Sequence, residues 1–141
     1  MKIRPMTVSD IPFLVSAREK FPDAWDEKML LSAFKAGNFF GFVAEDGVPK
    51  GFITYSVNVD TADMQDLFVE EDCRKKGVGC ALVSAFIESA KLRGLKKLFL
   101  EVRENNAPAI NLYKKSGFTS ISIRKKYYSD GENALVLVKE L

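Results

Sequence analysis

Leu67-Phe68-Val69-Glu70-Glu71-Asp72-Cys73-Arg74-Lys75-Lys76-Gly77-Val78-Gly79-Cys80-Ala81 is the stretch on which the fold turns. An apolar run ends at Val69, and a charged segment follows from Glu70 to Lys76. From Gly77 onward Val78, Ala81, Leu82, Ala85, Phe86 and Ser89 recur at helical spacing until Arg93-Gly94 closes the pattern. The order is therefore strand, basic glycine-containing loop, helix. A helix N-terminus leaves its first backbone N–H groups without intrahelical partners and carries about half a unit of positive charge. Glycines at 77 and 79 let that backbone approach an anion where a Cβ would obstruct it, which suits the stretch to phosphate. Neither of two common phosphate loops is present. No lysine–serine or lysine–threonine pair follows Gly79, as a Walker A loop requires, and Leu82 stands where a Rossmann fingerprint has its third glycine. Taken alone, R-x-x-G-x-G is equally compatible with a plain loop entering a helix.

Outward from this stretch the chain punctuates itself clearly. Upstream, Lys2 to Met6 is strand-like, and Thr7 with Asp10 forms a capping-box pattern that opens a helix through about Lys20, broken by Phe21-Pro22-Asp23. Asp26 can cap a second helix bearing Met29, Leu30, Ala33 and Phe34, ended by Gly37-Asn38. Phe39 to Glu45 and Gly51 to Val57 flank Asp46-Gly47 as a hairpin, and Asp63 to Val69 is a third strand. Downstream, Lys97 to Val102 is a strand, and Asn105 or Asn106 caps a short helix whose first turn tolerates Pro108. Gly117 ends that helix, and Thr119 to Arg124 and Ala134 to Val138 form a last hairpin around Ser129-Asp130-Gly131. The order β-α-α-β-β-β-α-β-α-β-β predicts a mixed α/β sheet with helices on both faces.

No repeat, linker or low-complexity tract divides the 141 residues, so residues 1–141 are expected to form one domain. With 47% hydrophobic and 28% charged residues the composition is that of an ordinary globular chain. A net charge of +2 gives no case for nucleic-acid binding. The absence of an apolar N-terminal run or spanning segment gives none for secretion or a membrane, so a cytoplasmic protein is expected. Cys73 and Cys80 match no zinc spacing and are expected as free thiols. The chain has no histidine, which excludes Ser-His-Asp chemistry and histidine metal sites, and no metal is expected.

The sequence resembles the GNAT acetyltransferases. Their acetyl-CoA motif, [Q/R]-x-x-G-x-[G/A], is matched by Arg74-Lys75-Lys76-Gly77-Val78-Gly79 on the strand–loop–helix scaffold described above. Two further segments match in order: Leu100-Glu101-Val102-Arg103-Glu104-Asn105-Asn106 and Ala109-Ile110-Asn111-Leu112-Tyr113-Lys114-Lys115-Ser116-Gly117-Phe118. With the Tyr127-Tyr128 pair, they are most similar to RimI-type ribosomal-protein alanine N-acetyltransferases. Two departures stand out: Arg74 replaces the glutamine of that type, and extra residues separate Pro22 from Trp25.

The resemblance implies transfer of acetyl from acetyl-CoA to a protein N-terminal amine, by direct attack in a ternary complex. It implies that backbone of Leu67, Phe68 and Val69 binds the pantetheine arm as an added strand. Backbone N–H groups in the loop and helix start (Arg74, Lys75, Lys76, Gly77, Val78, Gly79, Cys80) would hold the pyrophosphate, and Asn106 would contact coenzyme A further along. Glu101 would be the proton acceptor and Tyr113 the proton donor, with Trp25, Tyr127 and Tyr128 about the acceptor. Read as residues alone, Glu101 is a solvated strand-end carboxylate on the face of Phe99 and Arg103, Tyr113 packs on a helix face, and Trp25 belongs to the core. The acceptor implied is a protein or peptide N-terminus, with no nucleic acid or membrane partner, for a monomer or weak dimer. A lysine side chain or small amine as acceptor, or a silent acyl-CoA sensor, are the alternatives.

Overall fold

The computed structural model describes residues 1–17 and 25–141. The strands and helices are β1 (Lys2–Pro5), α1 (Ile11–Ala17), α2 (Glu27–Ala36), β2 (Phe39–Asp46), β3 (Val48–Asn58) and β4 (Thr61–Val69). They continue with α3 (Val78–Leu92), β5 (Lys97–Arg103), α4 (Ala107–Lys115), β6 (Thr119–Arg124) and β7 (Ala134–Glu140). The strands form a seven-stranded sheet in the order β1-β2-β3-β4-β5-β7-β6. Every neighbouring pair is antiparallel except β4 and β5, which run parallel because α3 carries the chain back between them. The mixed α/β sheet expected from the sequence is the observed fold.

Two apolar clusters sandwich the sheet. On one face Ile11, Leu14 and Ala17 of α1 and Leu30 of α2 pack against Phe39, Val43, Phe52 and Phe68. On the other, Leu82, Val83, Phe86 and Ala90 of α3, with Tyr113 of α4, cover Ile53, Tyr55, Leu98, Leu100 and Leu137. Phe52 and Ile53 fall in opposite clusters, as strand alternation requires. The Tyr55 and Phe86 rings meet at 4.5 Å between centroids, and the Tyr55 hydroxyl lies 3.0 Å from Ser89 Oγ, so α3 is fixed by both packing and a polar contact.

Local chemistry sets the ends of these elements. Asp10 accepts a hydrogen bond from the Thr7 amide at 2.8 Å and an ion pair from Arg4 at 2.7 Å. These contacts hold a short 3-10 turn, Val8–Asp10, ahead of α1. The expected helix to Lys20 is seen through Ala17, and its break at Phe21-Pro22-Asp23 lies outside the described residues. Asp26 caps α2 by accepting from Met29 N at 2.9 Å, and Asn106, rather than Asn105, caps α4.

One irregularity changes what the sheet presents. β3 and β4 shift register between Thr54↔Asp66 and Tyr55↔Met64, so Gln65 is an extra residue in β4. Before the bulge, Ala62 and Met64 face α3 and α4; after it Leu67 and Val69 take that face, and Phe68 joins the α1–α2 side. Asp66, two residues from Phe68, is thereby turned to the α1–α2 side as well. Phe86 is fully buried at the centre of the opposite core. Phe86→Ala is expected to cost about 3–5 kcal/mol in urea unfolding, with an unchanged slope against urea.

Candidate active site

β4 and β5 pair only over Thr61–Asp63 and Lys97–Phe99 and then part. A cleft of about 830 Å³ opens between them, bordered by Asp66 and Leu67 of β4, Glu101 of β5, and Asn106 and Tyr113 at α4. Trp25, Tyr127 and Tyr128 also line it. Of the residues expected to act at a site, the cleft thus brings together Glu101, Tyr113, Leu67, Asn106, Trp25, Tyr127 and Tyr128.

The parting exposes backbone. Glu70 N donates to Lys50 O at 2.8 Å, and Asp66 N donates to Thr54 Oγ1 at 3.2 Å, so the polar groups of the even-numbered residues of this strand end point at β3. Alternation turns those of Leu67 and Val69 to the open side. Arg74 Nε bonds Val69 O at 2.9 Å and so braces the loop against the strand end. The Phe68 side chain lies in the α1–α2 core.

The loop then delivers α3. Gly77 caps the helix with φ of 82°, a left-handed conformation that costs a side-chain-bearing residue about 1 kcal/mol or more. The first intrahelical bond runs from Ala81 N to Gly77 O at 3.0 Å. The amides of Val78, Gly79 and Cys80 precede it and are available to an anion. Lys75 and Lys76 are exposed beside them. Gly79 has a packing reason too, since a Cβ there would meet Leu112 Cδ1 of α4 at 2.9 Å. Cys73 is buried, Cys80 is exposed, and both are free thiols.

The two groups expected to move protons sit on opposite sides of the cleft. Leu98, Leu100 and Val102 are buried in the α3–α4 core, which leaves Glu101 on the α1–α2 face. Arg124 Nε stands 3.6 Å from Glu101 Oε1, while the buried Oε2 makes no hydrogen bond among the described residues. Tyr113 is 4% exposed and packs edge-on against Phe118. Burial, then the nearby Asp66 and Tyr128, hold its hydroxyl well above the ordinary phenol range, so it stays protonated.

The β6–β7 segment is pinned over the cleft. Arg103 of β5 bonds Asp130 at 2.8 Å and lies 4.1 Å from the Tyr128 ring centre, while Asn133 Nδ2 donates to Glu104 at 2.9 Å. The Tyr127 and Tyr128 rings meet nearly perpendicular at 5.1 Å. Trp25 lines the cleft and, half-buried beside the α1–α2 core, packs against Phe39 at 5.5 Å between ring centres. Among the described residues no cluster of His, Cys, Asp or Glu is placed to hold a metal, and no helix is long and apolar enough to cross a membrane.

Residues 10–118 match the model of the acetyltransferase (GNAT) family. The chain belongs to that family. It is 32% identical to the [ribosomal protein bS18]-alanine N-acetyltransferase of Escherichia coli K12, over 96% of this chain and 94% of that one. It is 30% identical to the N-alpha-acetyltransferase of Sulfurisphaera tokodaii, over 99% of this chain and 93% of that one. The crystal structure of the ribosomal-protein-S18-alanine N-acetyltransferase from Escherichia coli superposes with a TM-score of 0.89 at 30% identity, covering 99% of this chain and 92% of that one.

This acetyltransferase also carries a cleft residue that sequence reasoning left without a role. Asp66 lines the cleft and a small hollow bordered by Leu14, Trp25, Leu30, Phe39, Phe52 and Thr54. Burial among these apolar neighbours pushes its carboxyl up to about 6. The signal was present: buried positions 62 and 64 give way to apolar 67 and 69, a one-residue slip that marks a bulge. Because burial favours the protonated carboxyl in the folded state, ionisation of Asp66 opposes folding fully above pH 6 and not at all below the unfolded value near 3.8. Asp66→Asn is therefore expected to stabilise the protein by on the order of 2–3 kcal/mol at pH 7. Denaturant melts across pH should show that gain shrink as pH falls from 6 and vanish below about 3.8.

Proposed function

We propose that this single-domain GNAT acetyltransferase transfers acetyl from acetyl-CoA directly to the N-terminal amine of a protein. The observation that carries the proposal is the cleft between β4 and β5, with Glu101 on one side and Tyr113 on the other. The two relatives named above support the choice of acceptor, since their names specify N-alpha and ribosomal-protein alanine acetylation.

The residues fit the cosubstrate. The outward backbone of Leu67 and Val69 offers a strand edge to the pantetheine amides, and the α3 amides at Val78, Gly79 and Cys80 offer donors to the pyrophosphate. Gly77 makes that turn accessible, and Lys75 and Lys76 add positive charge beside it. The Asn106 side-chain oxygen accepts from Ala109 N at 3.2 Å, which leaves its amide nitrogen for coenzyme A.

A free N-terminus, with a pKa of about 7.7–8.0, is neutral in roughly a tenth of molecules at pH 7, whereas a lysine near 10.4 is more than two units harder to deprotonate. Glu101 accepts the proton that the attacking nitrogen sheds as the C–N bond forms, directly or through a water. Tyr113 donates its hydroxyl proton to the sulfur as the C–S bond breaks. Trp25, Tyr127 and Tyr128 flank the acceptor peptide. Direct transfer is favoured because burial and Asp72 raise the pKa of the Cys73 thiol and so keep it protonated, and the chain has no histidine to activate either thiol.

Glu101→Gln and Tyr113→Phe are expected to lower kcat by about a hundredfold or more while leaving acetyl-CoA binding intact. Mass spectrometry on peptides with free N-terminal Ala, Ser or Met, beside N-blocked peptides with an internal lysine, tests the acceptor. Acetylation confined to free N-termini is expected; acetylation of the blocked lysine peptide alone would overturn the proposal.

A further inference from the structure

The bulge at Gln65 gives the cleft a second carboxylate. Asp66 on β4 and Glu101 on β5 face the same side of the sheet, across the gap where the two strands part. Their surroundings differ. Glu101 has Arg124 at 3.6 Å, whereas Asp66 pairs with no cation among the described residues and sits among Leu14, Leu30, Phe39 and Phe52. The titratable groups that line the cleft with Asp66 are Asp63 on its own strand, Glu101 and Arg103 on β5, Tyr113 on α4, Arg124 on β6, and Tyr127 and Tyr128 beyond it. Among the described residues of β3, α1 and α2, Thr54, Phe52, Leu14 and Leu30 border the hollow beside it, and none of them titrates.

Resting on the acceptor assignment above, we propose that Asp66 is a second proton acceptor, taking the first proton from the acceptor while it is still an ammonium. The balance of the reaction calls for two such acts. An ammonium R–NH3+ becomes R–NH–CO–CH3, so two N–H protons leave as the C–N bond forms and the thioester C–S bond breaks. Asp66 takes one before attack and releases it to solvent. Glu101 takes the other after the C–N bond has formed and returns it to Tyr113, whose own proton has gone to the sulfur. One proton ends on coenzyme A and one in water.

The division of labour follows from the environments. A carboxyl raised to about 6 lies nearer the amine's own value than an ordinary aspartate does, which makes the first, uphill transfer easier. Once the nitrogen is bonded to the acetyl carbon its remaining protons are far more acidic, and Glu101 takes one of them as the bond forms. Retention of a destabilising charge within the apolar wall is what a proton-transfer role would require.

The test measures kcat/KM from pH 6 to pH 9 for wild type, Asp66→Asn and Glu101→Gln on a peptide with a free N-terminal alanine. Asp66→Asn is expected to lose about tenfold near pH 7, where roughly a tenth of the amine is neutral, and more at pH 6. Its deficit should close to within about threefold at pH 9, where the amine is already neutral in solution. The Glu101→Gln deficit should not close. Asp66→Ser, smaller and also uncharged, should follow Asp66→Asn, with acetyl-CoA affinity by calorimetry unchanged in both. A deficit of the same size at every pH, or none at pH 7, overturns the proposal. Wild type that acetylates only lysine side chains overturns the acceptor assignment instead. The Asp66 comparison then runs on the lysine peptide over a range extended to pH 11, with the pH of closure moved up accordingly.

Discussion

The hydrogen-bond ladder between β4 and β5 stops after three residue pairs, and the rest of the site depends on that stop. Two adjacent parallel strands would ordinarily satisfy each other's backbone groups along their whole length. Here the strands diverge, so Leu67 and the amide of Val69 face open space, while Val69 O is held by Arg74. The same divergence seats α4 and Tyr113 on one side of the gap, and Glu101 and Asp66 on the other. α3, which makes the crossover, starts beside the end of β4 and brings its unpaired amides to the same edge. A strand edge, a helix terminus and the side chains of Glu101, Tyr113 and Asp66 therefore converge because of one topological event.

The site is bought with stability at identifiable places. Gly77 is held at positive φ, Lys75 at φ 61°, and Asp66 is kept in an apolar wall that raises its carboxyl to about 6. The cores on both faces carry these costs: Phe86, Leu82 and Leu98 are fully buried on one side, and Val43 on the other. The β6–β7 segment adds a second layer of order, since Arg103 ties Asp130 and stacks on Tyr128. The tyrosines over the cleft thus depend on β5, the strand that also carries Glu101.

Much of this was legible in the residues. Alternation along Lys97 to Val102 assigned Glu101 its face, and the helix that opens at Gly77 ran to its expected end. Punctuation by Gly37, Asp46-Gly47, Gly94 and Gly117 placed most element boundaries within a few residues. What escaped were features that depend on neighbours. A single strand does not state where its partner stops pairing with it, so the cleft was invisible until β5 stood beside β4. The parity change at Gln65 was written in the spacing of Met64 and Leu67, yet its consequence for Asp66 needed the sheet. Gly79 looked like a phosphate glycine from its spacing, and only the packing of α4 shows that a Cβ there would also press on Leu112. Arg74 was read as the first residue of the acetyl-CoA motif, and the bond from its side chain to Val69 O makes it a brace of the loop as well.

Amide hydrogen exchange with and without acetyl-CoA tests the central claim most directly. If the parted strand edge and the α3 terminus together hold the cosubstrate, protection should rise at Leu67 and Val69 and at Val78 to Cys80, with Phe39 to Asp46 unchanged. Tight binding of acetyl-CoA that leaves the exchange of those amides untouched would contradict the account.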